Sequence, residues 1–183
     1  MAGTDIAKVA AMTPKALIAA AAFALTALAA PAMAQVERIP SSGGEVIIPG
    51  PPFAPAYYEF GYAPARRVGD TLYVSGVIIY RGEGEGTDAA AFEAQVRRGF
   101  RTLEMILEAA GAGFEDVAMV NSYHVWDGPN FTGEPMEQWE VIRRVRAEFI
   151  GEPHSAWTAV GTTGLLVSNG IVEIELVAHL GED

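Results

Sequence analysis

The chain has 183 residues, half of them hydrophobic, with no cysteine and a formal net charge of −11. Without cysteine there is no thiolate nucleophile, no thiolate metal site and no disulfide, so the fold must hold through its core alone. The acidic balance argues against nucleic acid as a main partner, because affinity there comes largely from neutralising phosphates.

Residues 1–34 read as a secretory signal. Lys8 and Lys15 precede "ALIAAAAFALTALAA", an apolar run too short to span a bilayer comfortably, and Ala32-Met33-Ala34 gives the small-x-small pattern of a cleavage site. A retained anchor is the alternative reading. Cleavage predicts a periplasmic or secreted protein that touches the membrane only through this segment. The part after residue 34 then keeps ten arginines and 22 acidic residues, a formal charge of −12. Lys8 and Lys15 are the only lysines, so the mature part has no side-chain amine for a Schiff base.

Residues 35–56, "QVERIPSSGGEVIIPGPPFAPA", are rich in Pro, Gly and Ser and suit a linker or an arm laid on a surface. "EVII" within them can also pair as a short strand. One domain is expected over residues 57–183. "ARRVGDTLYVSGVII" reads as a hairpin turning at Gly69-Asp70. "RGEGEGT" reads as a loop, and it fits no phosphate loop because no lysine follows and its acids repel phosphate. From Asp88 to Ala110 the residues Phe92, Val96, Phe100, Leu103, Leu107 and Ala110 recur at helical spacing. Thr87 or Asp88 can cap that helix, and Gly111 can end it.

"DVAMVNSYHVWD" is the next strand. "EPMEQWEVIRRVRAEFIGEP" is a second helix, with Met136, Trp139, Ile142, Val145 and Phe149 as its expected inner face and Arg143 to Arg146 on its solvated side. "SAWTAVGTTGLL" and "IVEIELVAHL" close the chain as strands. In the last, Val172, Ile174, Leu176 and Ala178 share one face, and Glu173 and Glu175 the other. Two long helices serving about five strands make an α+β fold. The helices cover one sheet face, so the other must be buried in an oligomer or stay polar.

Four blocks, "YAPARRVGDTLYVSGVI", "FEAQVRRGFRTLEMILEAAGAGFEDV", "FIGEPHSAWTAVG" and "VEIELVA", resemble in order the RidA family, also called YjgF or endoribonuclease L-PSP. The resemblance implies a chorismate-mutase-like mixed sheet with two helices on one face, forming a homotrimer with clefts between subunits. It also implies hydrolysis of imine- or enamine-type metabolites without a cofactor or metal, and a small organic molecule as ligand. Carried over by position, the catalytic glutamate falls on Glu173, and the substrate-binding positions fall on Tyr62, Ser75, Gly76, Trp157 and Ala159. The family's carboxylate-clamping arginine has no counterpart. Trp157 stands at its aligned place, with one extra residue between it and Glu173.

Each of these residues also has a plain structural reading. Glu173 is either a cleft carboxylate that positions water or a solvent-facing polar residue, and Glu175 is expected to be structural or paired with an arginine. Trp157 is either an aromatic platform or a plug. Ser75 lacks a histidine and an acid at triad spacing, so its hydroxyl is expected to bond ligand or backbone. His124 shares a face with Ser122 and Trp126 and is expected to line the same cleft. The histidines His124, His154 and His179 show no metal-ligand spacing. The rival of the enzyme reading is a non-catalytic ligand-binding or interaction module of the same fold.

Overall fold

The computed structural model describes residues 35–181. The expected signal segment, residues 1–34, lies outside them. The described chain folds around one seven-stranded sheet: β1 Glu37–Ser41, β2 Gly44–Ile48, β3 Ala65–Val68, β4 Thr71–Tyr80, β5 Val117–Val125, β6 Ala156–Thr162 and β7 Gly170–His179. Their spatial order is β1-β2-β3-β4-β7-β5-β6. All pairings are antiparallel except β5–β6, which is parallel. The helices are a single turn, α1 (Ala54–Tyr58), and two long elements, α2 (Ala89–Ala110) and α3 (Pro135–Arg146). None of the described helices is long and apolar enough to cross a membrane.

Within residues 35–56, residues 37–48 are strand and turn where a linker or arm is expected, and "EVII" does pair as the short strand it could make. These residues form the β1–β2 hairpin, whose second strand pairs with β3 through Ile47↔Ala65 and Val46↔Arg66. The Pro, Gly and Ser that suggest a linker sit at turns and at strand ends, while Val46, Ile47 and Ile48 between them are buried. Arg38 fastens the hairpin to the end of α2 by donating to the Ala109 carbonyl at 2.7 Å, and it also pairs with Glu45.

α2 is set by its apolar stripe. Phe92, Val96, Phe100, Leu103, Leu107 and Ala110 are all buried against the inner faces of β4, β5 and β7. The Asp88 carboxylate caps the start by accepting from the Ala91 N–H at 2.8 Å. Gly111 ends the helix at φ 78°, a left-handed cap that glycine adopts without strain.

α3 departs from its expected inner face. Ile142 and Val145 are buried, but Met136 is 66% exposed and Gln138 is fully buried instead. Gln138 can go inside because both ends of its amide are bonded there. The two long helices are laced together outside by Glu93, which pairs with Arg97 at 2.5 Å and Arg144 at 2.5 Å, and by Arg97 to Glu148 at 2.6 Å. Such exposed pairs set geometry more than they stabilise. In the loop before α2, Glu85 accepts from Arg98 and from the Gly82 N–H, which lowers its pKa to about 2. The acidic loop is thereby a tied turn.

Candidate functional site

β7 runs through the centre of the sheet and offers its two glutamates to the face without helices. Alternation puts Val172, Ile174, Leu176 and Ala178 in the core and turns Glu173 and Glu175 outward. Glu173 is flanked by Ile78 of β4 and Tyr123 of β5, and Glu175 lies beside Asn121. The neighbouring strand β4 bulges between Val74 and Val77, so that Ser75 and Gly76 together face Glu175. Ser75 anchors the bulge: its hydroxyl donates to the Ala63 carbonyl at 2.7 Å and its N–H to the Pro64 carbonyl at 3.0 Å.

Gly76 makes room for the glutamate. A Cβ at this position would lie 1.9 Å from Glu173 Oε1, so the carboxylate occupies the space where a side chain would be. The two acids then differ in environment. Glu175 Oε1 accepts from Asn121 at 2.9 Å and from the Tyr123 hydroxyl at 3.3 Å. No donor among the described residues supports Glu173, and partial burial together with the charge of Glu175 raises its pKa. The same two charges, with burial, raise the Tyr123 hydroxyl. Of the two readings of Glu175, structural or paired with an arginine, the bonds favour the structural one: an amide and a phenol hold it.

Beyond the Ala65–Val74 pair, β3 no longer covers β4, and residues Val77 to Tyr80 are strand-paired only on the β7 side. A cleft of about 770 Å³ occupies that gap. Tyr62, Ser75 and Gly76 line it, with Phe53 on one wall and Met105 and Ala109 of α2 on the other. Tyr62 is 47% exposed. The Gly76 backbone separates this space from Glu173.

Two predicted site residues are elsewhere. Trp157 pairs with Val120 and Ala159 with Ser122, both on the helix-covered side of β5. Trp157 donates its indole N–H to Ser122 Oγ at 2.8 Å, packs edge-on against Trp139 at 5.3 Å, and carries the Arg146 guanidinium over its ring at 5.3 Å. It therefore flanks α3 and not Glu173. On the outer face, Thr158 and Val160 stand beside Asn121 and Tyr123. Alternation along β6 fixes this: with Trp157 beside the buried Val120, its neighbours Thr158 and Val160 face the other way.

His124 is also on the helix side and does not line the cleft. Its Nε2 lies 2.8 Å from Ser122 Oγ and its Nδ1 2.9 Å from Gln138 Oε1, while Gln138 Nε2 donates to the Val125 carbonyl at 3.2 Å. That last bond orients the amide, so Nδ1 carries the proton and Nε2 accepts from Ser122. The order Ser-His-Gln mimics a hydrolytic triad, but all three are sealed in the core and Trp157 already bonds the serine. Burial lowers the pKa of His124 and keeps the ring neutral. Among the described residues no cluster of three His, Asp or Glu side chains could hold a metal.

The family model described as endoribonuclease L-PSP matches residues 55–180, which contain Tyr62, the bulge and Glu173. The chain belongs to this family. Its RidA-type relatives include the RutC family protein YjgH of Escherichia coli, 38% identical over 127 residues that cover 69% of this chain and 88% of that protein. Another is the 3-aminoacrylate deaminase RutC of Acinetobacter baylyi, 29% identical over 74% of this chain and 98% of the relative. A 2-iminobutanoate/2-iminopropanoate deaminase of Dermatophagoides farinae is 30% identical over 63% of this chain and 83% of its own. Among solved structures, the protein YJGH shares 38% identity at a TM-score of 0.54, covering 69% of this chain and 89% of that one. RidA from an Antarctic Psychrobacter shares 29% at 0.51, covering 64% and 87%. The α+β architecture is thus that of the RidA/YjgF structures.

Sequence reasoning did not identify Asn121 and Tyr123 as site residues. Their signal was available, because "NSYHVW" alternates and its outward members face the two glutamates.

Proposed function

We propose that the protein hydrolyses small imines or enamines, releasing ammonia, with Glu173 as the residue that positions and deprotonates the attacking water. The observation that carries this reading is a carboxylate without a donor, pushed up in pKa, resting on a glycine at the edge of a cleft. A carboxylate whose pKa is raised by burial and by the neighbouring Glu175 charge holds a proton more readily than a free one, which suits moving a proton from water to a leaving nitrogen. The deaminase names of two relatives agree with this chemistry. Tyr123, whose hydroxyl is bonded to Glu175, keeps that second charge in place beside Glu173.

The working form is proposed to be a homotrimer whose helix-free faces meet. Tyr73, Tyr123 and Val160 are exposed on that face, an apolar surface that association would cover. Export to the periplasm is part of the same proposal, through residues 1–34. A second reading, a non-catalytic binding module, is favoured by one observation: Thr158 and Val160, with no guanidinium, stand beside the Asn121–Tyr123 stretch.

The test is ammonia release from imines generated in situ by an oxidase, followed for the native protein and for Glu173→Gln. A rate above the spontaneous one, lost in the variant, supports the enzyme. Ligand binding without acceleration in either form supports the module.

A further inference from the structure

The cleft beside β4 and the Glu173 carboxylate lie on opposite sides of the Gly76 backbone. The Cβ direction of Gly76 points at Glu173, whereas the cleft is bounded by Ser75, Gly76 and Val77 together with α2 and the segment after β2. Two spaces therefore meet at one glycine, and the hydrolytic reading uses only the one that holds the carboxylate.

The cleft has a built floor and a built wall. Its floor is a second stripe of α2: Thr102, Met105, Ile106 and Ala109 stand at i, i+3, i+4 and i+7, one side of the helix, next to the stripe that packs on the sheet. Opposite lie Pro52 and Phe53, which precede the family match at residue 55, and Ala56 of α1. Bonds at both ends hold that wall in place. Arg38 donates to the Ala109 carbonyl at 2.7 Å, and the Tyr58 hydroxyl of α1 donates to Glu37 of β1.

The hydroxyls in the lining are already committed. Ser75 donates to the Ala63 carbonyl at 2.7 Å, and Thr102 to the Arg98 carbonyl at 3.1 Å. What the lining offers a guest is apolar contact from Phe53, Val77, Met105, Ile106 and Ala109. The volume of about 770 Å³ falls within the range of about 300–1,000 Å³ of small-molecule pockets.

We infer that this cleft is a second binding site, for an uncharged apolar molecule of one or two rings, separate from the Glu173 site and sharing with it only the Gly76 backbone. The guest lies between the α2 stripe and the wall after β2, and so ties the N-terminal hairpin to the helix. The site does not depend on the chemistry at Glu173, so the two readings fail separately.

The experiment titrates protein made from the full chain with N-phenyl-1-naphthylamine, an uncharged probe that fluoresces in apolar surroundings. Saturable binding is expected. Kd should rise at least tenfold in Met105→Asp, which puts a charge on the half-exposed floor, and in Ala56→Trp, which fills the space from the wall. Glu173→Gln should leave Kd within twofold, as should Met136→Asp, a control at an exposed apolar position of α3. Four results overturn the inference. They are no saturable binding, equal weakening by Met136→Asp, weakening by Glu173→Gln, and binding that vanishes as protein concentration rises. The second means adsorption to exposed apolar surface, the third a single shared site, and the fourth a cleft covered by another copy of the chain.

Discussion

Replacing Glu173 by glutamine should make the protein more stable and less active, and the two effects should separate with pH. The carboxylate is only partly buried, has no donor, and shares its face with Glu175 two residues on. Glutamine keeps the shape and removes the charge. Solvent screening limits the penalty being relieved to about 0.5–1 kcal/mol, or a rise in Tm of about 1–4 °C for a domain of this size. Because the folded-state pKa lies above the unfolded one, folding takes up a proton between the two, and the native state carries the unfavourable charge only above the raised value. The gain is therefore absent near pH 4 and complete once pH exceeds the raised pKa. Denaturant unfolding at pH 4 and pH 7.5 measures it, and kcat at pH 7.5 should fall by about 10²–10⁴-fold, the usual share of a general base. A variant less stable than the native protein at pH 7.5 would refute the reasoning, since it would mean that a cation pairs with Glu173.

Gly76→Ala should displace the Glu173 carboxylate, because a Cβ there lies 1.9 Å from Oε1. The displaced group is the end of a flexible side chain, so Tm should move little while kcat/KM falls at least tenfold. His124→Phe should flatten the loss of stability between pH 7.5 and pH 5 seen by urea titration. In the native protein the buried neutral ring resists a proton that the unfolded chain accepts from about pH 6.5 downward. Gly99→Ala should destabilise despite a helix-propensity gain of about 1 kcal/mol, since its Cβ would meet Ile79 Cγ1 at 2.6 Å and overpacking costs about 1–3 kcal/mol. A chevron or equilibrium urea series gives the sign directly.

Periodicity carried the parts of the fold in which one rule acts alone. The stripe of α2 and the alternation of β7 each follow from a single buried face, and the residues named from spacing are the ones in the core. Where two demands compete, spacing alone was insufficient. Gln138 displaces an expected apolar contact because His124 needs an acceptor, and that need arises only when β5 and α3 are side by side. The β1–β2 hairpin was hidden by turn residues outnumbering the short apolar run they enclose. At the site, Tyr62, Ser75, Gly76 and Glu173 converge. Trp157 and Ala159 do not, because they occupy the positions of β6 that pair with Val120 and Ser122 and so face the helices, which only the β5–β6 register decides.

The outermost strand, β6, has a further consequence. From Ala156 to Thr162 it contains neither proline nor a charged residue, and among the described residues it is hydrogen-bonded on one side only, to β5. Natural sheets usually blunt such a border against unwanted annealing between molecules. Here nothing in the strand does so, and a freshly folded single copy would be prone to clumping. Precipitation during refolding should then rise with protein concentration.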